Sequence, residues 1–183
     1  MFECDQVSGS NKWRLVRISV GSTVEVVLLS ARFLPLSVHW IEKSTPCCGA
    51  LCPLCERYPV RGLYYVAVGH EGHVRLLEVG CDASMRLEQH CKLLHGGMRS
   101  GLKVALSRRT KKSPVHSEVV GFVNGCAEID SLQLSNRVAA LYQLPPSNPD
   151  ETLAVYESRL QKIVKVRSDA LAARLARVNG VGV

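Results

Sequence analysis

The chain has 183 residues, 46% of them hydrophobic and only 5% aromatic, with a formal net charge of +7 at pH 7. That length fits one domain with an appendage or two small domains, and the apolar fraction is enough for a core. A basic balance points to a polyanionic partner, nucleic acid first and an acidic membrane surface second. The longest greasy stretch, Val24 to Leu34, is interrupted by Glu25 and Arg32, so no segment is expected to span a bilayer. The opening Met1-Phe2-Glu3-Cys4-Asp5 carries acids where a signal peptide needs bases. The expected compartment is therefore cytoplasmic, or the host cytoplasm for a viral chain, and the eight cysteines are not expected to form a disulfide framework.

Residues 1–11 are polar with Gly and Ser, and read as a flexible arm. Lys12 to Val20 reads as a strand, with Trp13 and Leu15 alternating against Arg14 and Val16, and Gly21-Ser22 is a turn. Thr23 to Leu34 reads as one long central strand, apolar on both faces over its middle, which Pro35 ends or bends. A Cys/His loop follows from His39 to Arg57. Arg61 to Val68 reads as a strand, Gly69 to Gly72 as a hairpin turn, and His73 to Val79 as the return strand. Asp82 or Ser84 caps a short helix whose Leu87, Cys91 and Leu94 face one way, and Gly96-Gly97 stops it. Gly101 to Ser107 alternates cleanly, residues 108–114 form a basic hairpin tip, and Val115 to Val123 returns. A helix is expected over Asp130–Leu144, then a linker at 145–149. Asp150 is expected to cap a long helix to Val178, carrying Leu153, Tyr156, Leu160, Ile163, Leu171 and Leu175 as a stripe.

About six strands between residues 12 and 123, with one short helix among them, suit a small closed or partly open barrel, which removes sheet edges. The expected class is mainly β (α+β), an OB-like barrel with an inserted metal-binding loop and C-terminal helices. Its expected parts are a core at 12–125, a metal subdomain at 39–57 and a helical appendage at 126–183.

The chemistry concentrates in His39-Trp40-Ile41-Glu42-Lys43-Ser44-Thr45-Pro46-Cys47-Cys48-Gly49-Ala50-Leu51-Cys52-Pro53-Leu54-Cys55, where four of the eight cysteines fall within nine residues. Cys52-Pro53-Leu54-Cys55 is a C-x-x-C pair, whose two thiolates reach one ion without strain. The remaining ligands come from His39 and from Cys48, with Cys47 as the alternative to Cys48. An all-cysteine set using both neighbours competes with His39, although adjacent side chains diverge. No long helix opens after Cys55, as a C-x-x-C redox motif would require. With no open position or nearby general base, the expected ion is structural Zn²⁺. Cys4, Cys81, Cys91 and Cys126 stand singly and read as small buried hydrophobes.

From Arg99 to Lys112 lie six basic residues, Arg99, Lys103, Arg108, Arg109, Lys111 and Lys112, and no acidic one. A finger of that kind suits phosphate contact with counterion release. Arg57 and Arg61 after the metal loop, and Lys12, Arg14 and Arg17 before it, widen the basic track. Trp40, Tyr58 and Tyr64 or Tyr65 flank the metal loop and are the candidates for base stacking, although a core role is the commoner one for each. Period 2 sends Tyr64 and Tyr65 to opposite faces, one into the core. No phosphate-binding Gly loop, G-x-S-x-G or H-E-x-x-H is present, and the zinc-deaminase pattern fails because the residue two after His39 is Ile41. The chain is not expected to be an enzyme.

In their order, Arg32-Phe33-Leu34-Pro35, His39, Cys47 or Cys48, Cys52-Pro53-Leu54-Cys55, Tyr64-Tyr65, Gly69 to Gly72, residues 82–95 and residues 107–114 resemble the core of the single-stranded DNA-binding proteins of large tailed phages. The resemblance covers roughly residues 12–123. It implies an OB-type barrel with a His-Cys₃ zinc subdomain, favouring His39 over an all-cysteine site, and a groove that binds single strands without sequence preference. It also implies a role in replication and recombination. The chain departs from that pattern in its shorter metal loop, in lacking an equivalent of the N-terminal cooperativity arm, and in ending on a basic amphipathic helix where the family has an acidic tail. The expected partner is single-stranded DNA or RNA, with self-association or a protein partner through residues 150–178 and no membrane. The rival reading is a zinc-stabilised protein-interaction or structural module whose helix is its working surface.

Overall fold

The computed structural model describes residues 13–178. The arm expected at 1–11 and the lone Cys4 lie outside them. In chain order the elements are β1 (Thr23–Leu28), β2 (Leu34–Ile41), β3 (Lys43–Pro46), β4 (Val60–His70), β5 (His73–Gly80), α1 (Cys81–His95), β6 (Leu102–Ser107), β7 (His116–Phe122), α2 (Ser131–Leu141) and α3 (Leu153–Val178).

The seven strands form one antiparallel sheet, in the order β3-β2-β4-β1-β6-β7 with β5 on the other edge of β4. The sheet is open. The mainly β, α+β class stands, and of the closed or partly open barrel expected, the strands do not make the closed form. It stays open because β3 and β7 end the strand order, each paired along one edge only, while β4 is paired along both. Residues 63–70 pair with β5, while the opposite edge takes β2 at 60–65 and β1 at 68–69. Thus β1 and β2 are one broken strand. Leu28 pairs with Val68 and Leu34 with Tyr65, so six steps on one side match three on the other. The surplus residues leave the ladder as an irregular bend, the extreme form of a bulge. Thr23–Leu34 is therefore not a single strand, and Pro35 sits inside β2.

Local chemistry sets the turns. Glu71 (φ 50°) and Gly72 (φ 78°) are both left-handed, the backbone a two-residue hairpin needs to match strand twist. β6 alternates buried and half-buried residues along its length, as period 2 demands. Segment 13–20 does not become a strand. It makes one parallel bridge, Leu15 to Leu76, with Val16 N–H donating to Leu76 C=O at 2.8 Å.

Three clusters make the core. On one face Val66, Val68, Leu77, Val104 and Leu106 pack with Leu87 and Cys91 of α1. Leu94 is exposed, so the buried side of α1 runs through Ala83, Ser84, Leu87 and Cys91 instead. Neither Asp82 nor Ser84 caps α1, which starts after Gly80 with no side-chain cap. Cys81 is exposed rather than buried, Cys91 is buried, and Cys126 is half-buried. On the other face Tyr65, Ala67 and Leu76 pack with Ile129, Leu134 and Val138 around α2. Asp130 and Gln133 close a capping box at its start. The third cluster joins Cys48, Cys52 and Leu54 to Val164 of α3, with Leu171 and Leu175 against it. The helices after residue 126 therefore complete the core rather than hang from it. No helix among the described residues is long and apolar enough to cross a membrane.

Candidate metal centre

His39 stands on β2, opposite Thr45 of β3. The ladder continues one residue past β3, because Cys47 N–H donates to Ser37 C=O at 2.8 Å. Strand alternation then decides between the neighbouring cysteines. Ser37 and His39 share a face, and so do Thr45 and Cys47, so Cys47 projects on the side of His39 and Cys48 does not. The ligand atoms of His39, Cys47, Cys52 and Cys55 all lie within 4.8 Å of one another, and this group can hold a metal ion. Cys48, preferred from spacing, stays outside that group. It is buried under α3, packed with Cys52, Leu54 and Val164, and its carbonyl accepts from Gln161 Nε2 at 3.4 Å.

Three of the six ligand-atom separations are close to those of a tetrahedron. Metal–sulfur bonds of about 2.3 Å and metal–nitrogen bonds of about 2.0–2.1 Å put neighbouring sulfurs about 3.8 Å apart and sulfur and nitrogen about 3.6 Å apart. Cys47 Sγ lies 3.7 Å from Cys55 Sγ, and His39 Nε2 lies 3.4 Å from Cys52 Sγ and 3.8 Å from Cys55 Sγ.

The surrounding shell orients these donors. His39 is fully buried, and its Nδ1 is 3.0 Å from Tyr58 C=O. A carbonyl only accepts, so Nδ1 carries the proton and a neutral imidazole leaves its Nε2 lone pair facing the thiols. Gly49 N–H donates to Cys47 Sγ at 3.4 Å. Gly49 holds φ +88°, a left-handed conformation that favours glycine at this turn. Burial raises the Cys52 thiol, but bonds from the Cys48 and Leu54 backbone and from the His39 and Cys48 side chains outweigh it, bringing it down to about 6. Cys47 goes the other way. Burial, only partly offset by the Gly49 N–H, and then Cys55 and Cys52 push it up to about 11. Lys165 of α3 also feels the Cys48 and Cys52 thiols, although Asp169 is the main cause of its raised pKa. The α3 residues around the loop were missed from sequence; the apolar stripe through Val164 and Leu171 was the available signal.

The candidate nucleic-acid residues divide into groups. Arg109, Lys111 and Lys112 are exposed on the β6–β7 hairpin. Its tip is held by Thr110 N–H to Ser113 Oγ at 2.8 Å and Ser113 N–H to Thr110 Oγ1 at 3.0 Å. Arg108 is half-buried. Lys103 is tied to Glu25 at 2.6 Å, and the Arg99 guanidinium lies 4.7 Å from the Phe122 ring centroid. Arg57 and Arg61 are exposed near the metal hairpin, where Trp40 is 60% exposed. Tyr58 packs against the cysteine cluster. Tyr64 is half-buried, edge-on to Phe33 at 6.4 Å. Tyr65 cannot stack on a base: it is wholly buried, donating to Glu78 Oε2 at 2.6 Å and sharing a 2.7 Å bond with Tyr142 Oη. It is the core member of the Tyr64–Tyr65 pair because odd positions of β4 face α2. The metal hairpin leaves β2 and the basic hairpin leaves β6, at opposite ends of the broken strand. No protein family matches this chain, and no curated protein or solved structure is similar to it.

Proposed function

We propose that this protein binds single-stranded nucleic acid, largely without sequence preference, as a non-enzymatic component of replication or recombination. The observation that carries the proposal is the β6–β7 finger. Arg109, Lys111 and Lys112 project from an ordered tip, and none of them has an acidic partner among the described residues. A fixed cluster of free cations suits phosphate contact, each contact releasing counterions. DNA is the preferred strand on the resemblance to phage proteins noted above.

The metal in this reading is Zn²⁺ in a structural role. Three thiolates and one imidazole are a soft, tetrahedral donor set of the kind zinc takes. All four positions are filled by side chains, which leaves none for water or substrate. His39, Cys47, Cys52 and Cys55 would hold the ion and so tie the β2–β3 hairpin to the loop beneath α3.

Fluorescence anisotropy with labelled oligo-dT at two ionic strengths tests the binding. Tight binding at low salt that weakens steeply with added salt is expected. An absence of binding at low salt would overturn the proposal. Metal analysis of the purified protein should give one zinc per chain.

A further inference from the structure

A second basic feature lies away from the metal hairpin. Segment 13–19 runs beside β5, and together with the base of the β6–β7 hairpin they enclose a groove of about 1160 Å³. Four arginines from three separate stretches of chain line it: Arg14 and Arg17, Arg75 of β5, and Arg108. Backbone bonds hold the stretches together. Leu76 N–H donates to Arg14 C=O at 3.1 Å, and Gly21 N–H donates to Arg108 C=O at 2.9 Å. The convergence is thus a product of the fold and not of a charged run in sequence.

Two observations point to a missing anion. The Nε atoms of Arg75 and Arg108 are buried without a hydrogen-bond partner. Buried donors are ordinarily satisfied, and guanidinium groups most often by carboxylate or phosphate. The groove's own acid does not serve them. Glu78 already accepts from Tyr65 Oη at 2.6 Å, and Arg75 reaches only the exposed Glu71, at 3.7 Å through Nη2. Four like charges around one concave surface also repel unless a polyanion enters. The groove's size suits a chain of phosphates rather than one. Arg108 joins it to Arg109, Lys111 and Lys112 of the finger, and Trp13 offers an aromatic wall at its rim, with Arg137 over its ring at 4.8 Å.

We infer that this groove is the track for the phosphodiester backbone of a single-stranded nucleic acid, with Arg14, Arg17, Arg75 and Arg108 as its phosphate contacts. The inference rests on the proposed strand-binding function and names the surface that performs it.

The test uses the full chain with its metal, labelled oligo-dT, and phosphatidylglycerol vesicles as a second source of phosphodiesters. Arg14→Gln with Arg17→Gln removes two exposed charges, and Lys162→Gln with Arg174→Gln removes the same net charge from α3. The groove pair should weaken oligo-dT binding at least tenfold at low salt and flatten the log–log salt slope by about 1.4, at about 0.7 per phosphate lost. The α3 pair should change neither. Tight wild-type binding that the groove pair leaves intact would overturn the groove assignment while strand binding stands. No wild-type binding to oligo-dT would overturn strand binding itself. Vesicle binding abolished by the groove pair, with oligo-dT binding unaffected, would assign the groove to a lipid surface and overturn the inference. Arg75→Gln and Arg108→Gln extend the series, and if either fails to fold by circular dichroism the exposed pair decides.

Discussion

Cys47 and Cys48 are neighbours with different surroundings. The backbone of Cys47 is held by Ser37 C=O, and its thiol faces His39, Cys52 and Cys55. Cys48 turns under α3. Cys47→Ser should therefore abolish stoichiometric metal retention after dialysis, whereas Cys48→Ser should keep one ion per chain. Atomic emission on the two variants checks this, and the reverse pattern would place Cys48 in the site. The same residues set a pH dependence. Protons compete with metal for thiolates, so affinity must rise with pH. With Cys52 lowered to about 6 and Cys47 raised to about 11, at pH 7–8 Cys52 is already a thiolate while Cys47 must still lose its proton to bind. Release of the Cys47 proton alone makes affinity climb about tenfold per pH unit across this window, and every further thiol that ionises on binding adds to that slope. Below about 6 Cys52 becomes protonated as well, and the loss steepens. Competition with a chromophoric chelator between pH 5.5 and 8.5 would show whether the slope increases on the acid side.

An ion held by His39, Cys47, Cys52 and Cys55 would also support α3, which packs on their loop. Its buried side consists of Tyr156, Val164 and Ser168, and Val164 packs on Cys48, Cys52 and Leu54. The helix start is held separately. Arg159 bridges Glu151 at 2.7 Å and the Pro146 carbonyl at 2.7 Å, and its guanidinium keeps the Glu151 carboxyl down at about 2. Structural zinc sites contribute on the order of 10 kcal/mol to folding. Chelation should therefore speed amide exchange in β2–β3, the cysteine loop and the C-terminal half of α3, while β4 and β5 keep their protection. Uniform loss of protection would mean that the ion supports the whole fold and not this corner. Leu54, 2% exposed beneath the helix, probes the packing of the same corner: Leu54→Ala should cost about 2–5 kcal/mol in urea denaturation. Of the apolar stripe expected along α3, Leu171 and Leu175 pack, together with Val164, against the chain's own cysteine loop.

At the scale of the whole molecule, the broken strand β1–β2 separates the two candidate regions. The metal hairpin extends from its β2 half and the β6–β7 finger from its β1 half. Charge reversal of the finger, Arg109→Glu with Lys111→Glu and Lys112→Glu, should weaken oligo-dT binding and lower the salt slope by about 2, without releasing metal. Anisotropy titrations paired with metal analysis test both halves of that statement, and joint loss would show that the two regions are coupled.

Much of this was legible from residue order. Clean alternation announced β6, a turn at the end of β4 announced the β4–β5 hairpin, and the helix expected over Asp130–Leu144 contains α2. The cysteine spacing located the metal centre, because short-range geometry limits which thiols can meet. Three things depended on contacts between residues distant in sequence. Choosing Cys47 over Cys48 needed the register of β3 against β2. That the sheet ends at β3 and β7 without closing followed from which strands pair, which strand count does not reveal. The convergence of Arg14, Arg17, Arg75 and Arg108 depended on docking segment 13–19 against β5. Sequence by itself determined which local elements form and where the thiols cluster; only the tertiary structure decided which face each side chain occupies and which distant charges share a groove, because register and docking are set by long-range pairing.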